Sequence, residues 1–333
     1  MRIFLSGLGT VGQGVLEVIS AKMPLLEKNY GGVKVVGVMD SKSYAISDDG
    51  LDMGSVLSKK RSDKRCGDAV RNGMSGPEIL GKVDYDLLIE CTPTNIDDGG
   101  EGLKNITSAL ENGKDVITVN KGPLALEFCK LMELAKKNGS IMRFEGSVGG
   151  AMPIINLCKE GLAGQEIRSI NGIFNGTCNF ILSRMDRGMP FDQALKEAQQ
   201  LGYAEADPTY DIKGIDSACK VAILANAVFK KDVTIRDVTI NGIDTITDGA
   251  ISLAKDHDMV IRLIGEVSKD KLDVSPRLIP KGHPLSITGT LNTAVIQTDF
   301  AGPITVSGRG AGKNETASAI LGDLIFILEA RKK

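Results

Sequence analysis

Apolar residues in the first 145 positions follow two rhythms. Short dense runs occupy residues 2–6, 33–39, 86–91, 115–119 and 140–145, while stretches with apolar positions three and four apart cover 11–28, 103–112 and 124–138. Dense runs of that length predict buried strands, and the helical spacing predicts amphipathic helices packed on them. The helix at 124–138 closes on Asn138-Gly139, a pair suited to a helix C-terminus. One-for-one alternation of strand and helix predicts right-handed β-α-β units on a parallel sheet, hence a doubly wound α/β domain. Residues 40–77 interrupt the rhythm with polar, charged and Gly-rich sequence. They read as a long excursion at the sheet edge, with a short helix near Val56.

Beyond about residue 150 the pattern changes. Helical spacing marks 151–161, 189–201 and 247–257, and 214–229 is a strongly apolar helix, whereas 166–174, 259–268, 271–279, 294–300 and 304–307 read as strands. Strands that cluster in this way predict an α+β domain whose sheet mixes orientations. A last helix, 313–333, follows a Gly-rich turn. The expected organisation is therefore a first domain over 1–130, a second over 131–309, and a helix over 310–333 that returns to the first.

Composition narrows the classes of function. With 40 Lys+Arg against 42 Asp+Glu the formal charge is −2, so the chain lacks the basic surplus that a nucleic-acid backbone demands. Nine Phe, five Tyr and no Trp leave little for stacking on single strands. No apolar run has the length of a membrane span, and Met1-Arg2 leads straight into a strand rather than a signal peptide. Six dispersed cysteines without a Cys-x-x-Cys pair, and only His257 and His283 beside them, argue against a zinc site and for reduced thiols in a cytoplasmic protein. Cys91 and Cys178 lie near the motifs below but read as small buried side chains.

Gly7-Leu8-Gly9-Thr10-Val11-Gly12 follows the first strand and opens the first helix. In that context Gly7 permits a tight turn, Gly9 lets backbone approach a pyrophosphate, and Gly12 lets helix and strand pack closely. The reading is a Rossmann-type dinucleotide-binding domain. Asp40, ending the second strand, is placed to accept the ribose hydroxyls of NAD, while Lys42, Lys59, Lys60 and Arg61 are candidates to hold the 2′-phosphate of NADP. The choice between NAD and NADP stays open.

Three further stretches carry chemistry. Residues 202–220 gather Glu205, Asp207, Asp211 and Asp216 with Lys213 and Lys220 ahead of an apolar helix. Asp216 and Lys220 are four apart and share a helix face, and a lysine there needs a partner that can hold it ready for proton transfer. Lys121 follows a parallel strand, at the sheet edge where ligands bind. The turn 145–153 sets Glu145 beside backbone carbonyls, an oxygen set suited to a hard cation.

Together these residues resemble the homoserine dehydrogenase family. The resemblance rests on Gly7–Gly12, Glu90-Cys91-Thr92-Pro93, Thr118-Val119-Asn120-Lys121, the 145–153 turn, Asn175-Gly176-Thr177-Cys178-Asn179-Phe180-Ile181-Leu182, the 202–220 block and Gly308-Arg309-Gly310-Ala311-Gly312. The resemblance implies reversible NAD(P)-dependent reduction of L-aspartate 4-semialdehyde to L-homoserine, on the route to threonine, methionine and isoleucine. It implies Lys220 as proton donor and Lys121 as a second lysine between nicotinamide and substrate, with Glu205, Asp216 and Asp211 as acids at the substrate and Gly176, Thr177 and Tyr203 lining its pocket. Cofactor contacts are implied at Gly7, Gly9, Thr10, Val11, Gly12, Asp40, Lys42, Thr92, Lys121 and Gly312. A monovalent cation, sodium or potassium, is implied at Glu145 and the carbonyls of Val148, Gly150 and Met152. A homodimer and the short form without a regulatory domain are also expected. Tyr210 stands where some relatives carry an acid, which puts more of the pairing of Lys220 on Asp216. The competing readings are a different Rossmann oxidoreductase, such as an amino-acid or aldehyde dehydrogenase, and a nucleotide-sensing or interaction protein. An acylating aldehyde dehydrogenase needs a cysteine nucleophile with a base, a pairing that His257 and His283 do not support. A sensor has no use for Lys121, Glu205, Asp216 and Lys220 together.

Overall fold

In the computed structural model, which describes residues 1–332, the five expected strands of the N-terminal half share one sheet. The elements run β1 (Arg2–Ser6), α1 (Thr10–Tyr30), β2 (Lys34–Met39), β3 (Ser43–Ile46), α2 (Met53–Asp63), β4 (Ala69–Val70), α3 (Gly76–Leu80), β5 (Leu87–Glu90), α4 (Gly100–Glu111), β6 (Asp115–Thr118), α5 (Lys121–Lys137) and β7 (Met142–Arg143). The order across the sheet is β4-β3-β2-β1-β5-β6-β7, parallel from β2 to β7. Its central strands are buried on both faces, which explains their unbroken apolar runs.

Two expectations change. The excursion contributes β3, antiparallel to β2, and β4, antiparallel to β3, which extend the sheet at that side. Their signal is hidden because a strand of two to four residues carries no readable alternation. The run expected over 140–145 keeps only two residues in the sheet, and Glu145–Ser147 turns away as a single 3₁₀ turn.

The second unit contains α6 (Ile154–Asn156), β8 (Ile167–Ile173), α7 (Gly176–Met185), α8 (Phe191–Gln200), α9 (Thr209–Ile212), α10 (Ile215–Phe229), β9 (Thr239–Ile240), α11 (Asp248–Asp256), β10 (Met259–Ser268), β11 (Leu272–Pro280), β12 (Leu291–Thr298) and β13 (Pro303–Arg309). Its sheet has the order β13-β12-β8-β10-β11-β9, with every pair antiparallel except β11 with β9. The mixed sheet expected from the pattern is present. The helix expected over 151–161 opens only at Ile154 and runs on into a π-helical turn at Leu157–Gly161. The helix α7 has no counterpart in the sequence reading. Eight of its ten residues are buried, so no polar face marks its period.

The chain divides at Ser147/Val148, and from Gly312 onward it belongs again with the first unit. The boundary expected after residue 130 falls inside α5, and pairing of β7 with β6 carries the first unit past it. The closing helix α12 (Lys313–Lys332) buries Thr316, Ala317, Ile320, Asp323, Leu324, Ile327 and Leu328 as one stripe. It shares a core with Leu16 and Ile19 of α1 and with Ile3, Leu5, Leu87, Ile89 and Ile117 of the sheet. Gly14 makes the contact between the helices close: a Cβ there would lie 2.7 Å from Lys313 Cγ. Lys333, the last residue of the expected helix, lies outside the described residues.

Candidate active site

In the second unit, α10 starts at Gly214, whose φ of +81° favours glycine, and it is buried from Asp216 to Asn226. Asp216 occupies the first turn, where the helix dipole favours a carboxylate. One turn later Lys220 Nζ donates to Asp216 Oδ2 at 2.8 Å and to the carbonyl of Phe174 at 2.6 Å, with its side chain only 7% exposed. The ammonium has three hydrogens, so two acceptors leave one to offer. Asp216 is the carboxylate that pairs it, as the Tyr210 substitution suggested.

The Phe174 carbonyl is held in place from below. Gly172 of β8 and Gly265 of β10 pair across the sheet, and a Cβ on either would come within 2.6–2.7 Å of the Phe174 ring. Asn292 Nδ2 is a second donor to the same carbonyl, at 3.0 Å, and Gly310 lets the chain pass over that amide. Asn175 then joins the acids: its Nδ2 donates to Asp211 Oδ1 at 2.6 Å and to Asp216 Oδ2 at 3.0 Å, while its Oδ1 caps α7 through Cys178 N. Burial, then the charge of Asp216, pushes the Asp211 carboxyl above the usual carboxylate range.

Other expected residues lie around this cluster with different degrees of engagement. Gly176 begins α7, where a Cβ would be 2.6 Å from the Thr290 carbonyl. Thr177 Oγ1 donates to the carbonyl of Tyr203, whose ring stands edge-on to Phe180 at 5.1 Å. Glu205 is exposed, and its backbone carbonyl is tied to Gln199 Nε2 at 3.1 Å. The structure joins Asp211, Asp216 and Lys220 through Asn175, whereas Glu205 makes no hydrogen bond to that group. Burial raises the thiol of Cys178 well above its ordinary range, and likewise that of Cys91. Neither is a nucleophile in waiting; Cys178 is buried as expected, whereas Cys91 is only partly buried.

In the first unit the glycine turn fits a pyrophosphate. Gly7 has φ +91°, and a Cβ there would strike backbone of Cys91 and Thr92 at 2.5–2.6 Å. At Gly12 a Cβ would lie 2.0 Å from the Gly7 carbonyl oxygen, while at Gly9 nothing stands within 4 Å. Space over Gly9, with Thr10 and Val11 opening α1, no acid in its first turn and no side-chain cap, is what an anion at a helix N-terminus requires. Thr92 follows β5, Lys121 opens α5, and Gly312, whose φ of +140° favours glycine, precedes α12.

Asp40 departs from expectation. Its carboxylate is buried and turned into its own loop, where Oδ1 accepts from Lys42 N and Ser43 N, each at 2.8 Å, and Oδ2 from Lys60 Nζ. Burial raises this carboxyl, but the bonds from Lys60 and the two amides outweigh it and hold it below the usual range. Lys42 is exposed on the same turn. Lys59 pairs with Asp68 and Arg61 with Glu17.

Glu145 is buried, and its backbone N–H donates to Asp323 Oδ2 at 2.9 Å, so α12 fixes the start of the turn. Val148, Gly150 and Met152 lie beyond the division between the units. Within the second unit, Met152 N bonds Gly149 O at 2.9 Å and Gly150 takes φ +57°. Among the described residues no group of three or more His, Cys, Asp or Glu side chains is arranged to hold a metal.

Sequence reasoning missed Asn175, Asn292 and the Phe174 carbonyl as parts of the lysine site. Only Asn175 carried a signal, an Asn before a helical run of the kind that caps.

The family model described as homoserine dehydrogenase matches residues 153–325, and the model of its NAD binding domain matches residues 7–145. The homoserine dehydrogenase of Methanocaldococcus jannaschii is 47% identical over 336 residues, covering 100% of both chains. A crystal structure of a putative homoserine dehydrogenase from Archaeoglobus fulgidus superposes with a TM-score of 0.91 at 49% identity, covering 98% of this chain and 99% of that one. A hyperthermophilic archaeal homoserine dehydrogenase in complex with NADPH superposes with a TM-score of 0.83 at 30% identity, covering 97% of this chain and 96% of that one.

Proposed function

The chain belongs to the homoserine dehydrogenase family, and from that premise we propose that it reversibly reduces L-aspartate 4-semialdehyde to L-homoserine with NAD(P)H, with Lys220 as proton donor. One observation carries the assignment of the donor: a buried ammonium, fixed by Asp216 and the Phe174 carbonyl, that keeps one hydrogen uncommitted. The nicotinamide, when bound, supplies or accepts the hydride. Lys220 meets the charge that builds on the aldehyde oxygen and delivers a proton there, combining electrostatic stabilisation with general-acid catalysis. Asp216 and Glu205 have the sign to hold the substrate ammonium, Asp211 backs them, and Gly176, Thr177 and Tyr203 line the pocket. Lys121 serves between nicotinamide and substrate.

The residues at the cofactor edge fit a dinucleotide: Gly7, Gly9 and Gly12 with the first turn at Thr10 and Val11 receive the pyrophosphate, and Thr92, Lys121 and Gly312 complete the contacts. Because Lys60 neutralises Asp40, a 2′-phosphate meets no unbalanced carboxylate there, and exposed Lys42 can pair with it. Both NAD and NADP are therefore expected to serve. Glu145 with the carbonyls of Val148, Gly150 and Met152 would hold sodium or potassium. The enzyme acts in the biosynthesis of threonine, methionine and isoleucine, as a cytoplasmic homodimer. No helix among the described residues is long and apolar enough to cross a membrane.

The test is oxidation of homoserine followed at the NAD(P)H absorbance, with each cofactor in parallel. Lys220→Ala is expected to lose a factor of about 10²–10⁴ in turnover, the usual worth of a positioned general acid, while retaining cofactor binding. Turnover close to wild type in that variant overturns the assignment.

A further inference from the structure

At the end of β5, Glu90 is wholly buried, and among the described residues it has no cationic partner. A carboxylate in that position is costly unless its lone pairs are used. Here three donors converge on it. Thr92 N reaches Oε1 at 2.7 Å, Thr92 Oγ1 donates to the same oxygen, and Asn105 Nδ2 of α4 donates to Oε2 at 2.9 Å. The chain of bonds continues outward. Asn120 Nδ2 donates to Thr92 Oγ1 at 3.0 Å and to the Pro93 carbonyl at 3.2 Å, and Asn120 Oδ1 caps α5 by accepting from Gly122 N at 3.1 Å. Lys121 is the first residue of that helix.

Two glycines show that this contact has been built close. A Cβ at Gly102 would lie 2.3 Å from Asn120 Nδ2, and one at Gly122 would lie 2.1 Å from the Asn95 carbonyl oxygen. The loop after β5 is thus clamped between the first turns of α4 and α5. Its location is the carboxyl edge of a parallel sheet, where a dinucleotide binds.

We infer that Glu90 is a positioning residue for the redox end of the cofactor site: through Thr92 and Asn120 it sets the loop after β5 and the start of α5, and so the placement of Lys121. The inference rests on the roles proposed above for Thr92 and Lys121. Glu90 touches neither substrate nor cofactor and acts only through this relay. A glutamine can keep it. The glutamine carbonyl accepts both Thr92 donors, and its amide can donate to Asn105 Oδ1, which has no partner among the described residues, once the oxygen and nitrogen of Asn105 exchange places.

The experiment compares Glu90→Ala, Glu90→Gln, Thr92→Val and the Glu90→Ala/Thr92→Val double variant, reading kcat and the KM for NAD(P) and for homoserine separately. Glu90→Ala is expected to change kcat or cofactor KM unfavourably by about tenfold, the scale of a 1.4 kcal/mol interaction, and to leave homoserine KM within about twofold. Glu90→Gln recovers most of that loss. Thr92→Val reproduces it, and the double variant is little worse than the more affected single, because residues on one relay are not additive. Wild-type kinetics in Glu90→Ala overturn the inference, as does an equal loss in Glu90→Gln. Should Glu90→Ala fail to fold, Thr92→Val decides: wild-type kinetics there sink the relay. Lys121→Ala separates the two levels. Wild-type kinetics in that variant reject the role of Lys121 itself, whereas a defect there beside unaffected Glu90 and Thr92 variants rejects only the relay.

Discussion

Among the described residues each unit holds a buried Asp–Lys pair, and the two are put to different use. Asp40 and Lys60, with side chains 6% and 17% exposed, join a strand end to α2, and the carboxylate is filled by Lys60, two backbone amides and a serine hydroxyl. Asp216 and Lys220, at 11% and 7%, sit one turn apart on a single helix. Asp216 is shared with Asn175, and Lys220 keeps a hydrogen to give. Lys60 likewise makes two bonds, to Asp40 and to the Lys64 carbonyl at 3.4 Å, so both ammoniums keep one hydrogen and the difference lies with the carboxylates. Burial alone does not distinguish them, because both are removed from water to a similar degree. The partners of the carboxylate do: Asp40 is bonded within its own loop and to α2, whereas Asp216 is tied through Asn175 to a second acid, Asp211.

The largest test of this contrast is Asn175→Ala, which leaves Asp211 and Asp216 facing each other without the amide between them. Losing a hydrogen bond to a buried charged group costs about 1.5–3 kcal/mol, so kcat/KM should fall by between ten- and a hundredfold, with cofactor KM unchanged. A variant with wild-type kcat/KM would show that Asn175 only caps α7.

Next in size is Asp40→Ala. Removing one partner of a fully buried pair costs about 3–5 kcal/mol, and the partial access of Lys60 to solvent reduces this to about 2 kcal/mol, seen as a lower denaturation midpoint. The pH dependence follows from the depressed carboxyl: Asp40 contributes stability above its unfolded pKa, and that contribution fades as pH falls through the folded value. The gap between wild type and Asp40→Ala should accordingly close on acidification. If the gap were constant with pH, the charge of Asp40 would not be the source of its stabilising effect. The same variant run with NAD and NADP in parallel reports how far Asp40 bears on cofactor choice.

The smallest effect, and the one with opposite sign, is Asp211→Asn. Its carboxyl is raised, so its ionised form costs stability near neutral pH, and that cost disappears as pH falls below the folded pKa. Asparagine keeps the acceptor for Asn175 without the charge. The variant is expected to melt up to a few degrees higher at pH 7, with the advantage vanishing in acid, while its kcat/KM falls. A lower melting temperature at pH 7 would contradict the origin assigned to the shift.

Much of this could be read along the chain. The strands of the first sheet, the glycine turn with its steric logic, α10, and the i, i+4 spacing of Asp216 and Lys220 are local, because each depends on residues within a few positions of one another. The unread parts have physical reasons too. The strands β3 and β4 are too short to show alternation, and α7 is buried nearly all round and so lacks a polar face. Asp40 looked like a ribose ligand because its place at the end of β2 is local information, whereas its engagement by Lys60 comes from 20 residues away.

The sequence by itself determined which chemistry was available: a lysine four residues after an aspartate on an apolar helix, glycines at 7, 9 and 12 between a strand and a helix, and a carboxylate at the end of each of two parallel strands. Only the tertiary structure decided which groups were committed and which were left with a bond to make. Phe174 and Asn175 approach Lys220 and Asp216 across more than 40 positions of chain, from the end of β8 to α10. Hydrogen-bond saturation is a property of that three-dimensional neighbourhood, and a long-range partner leaves no periodic trace in the sequence that it completes.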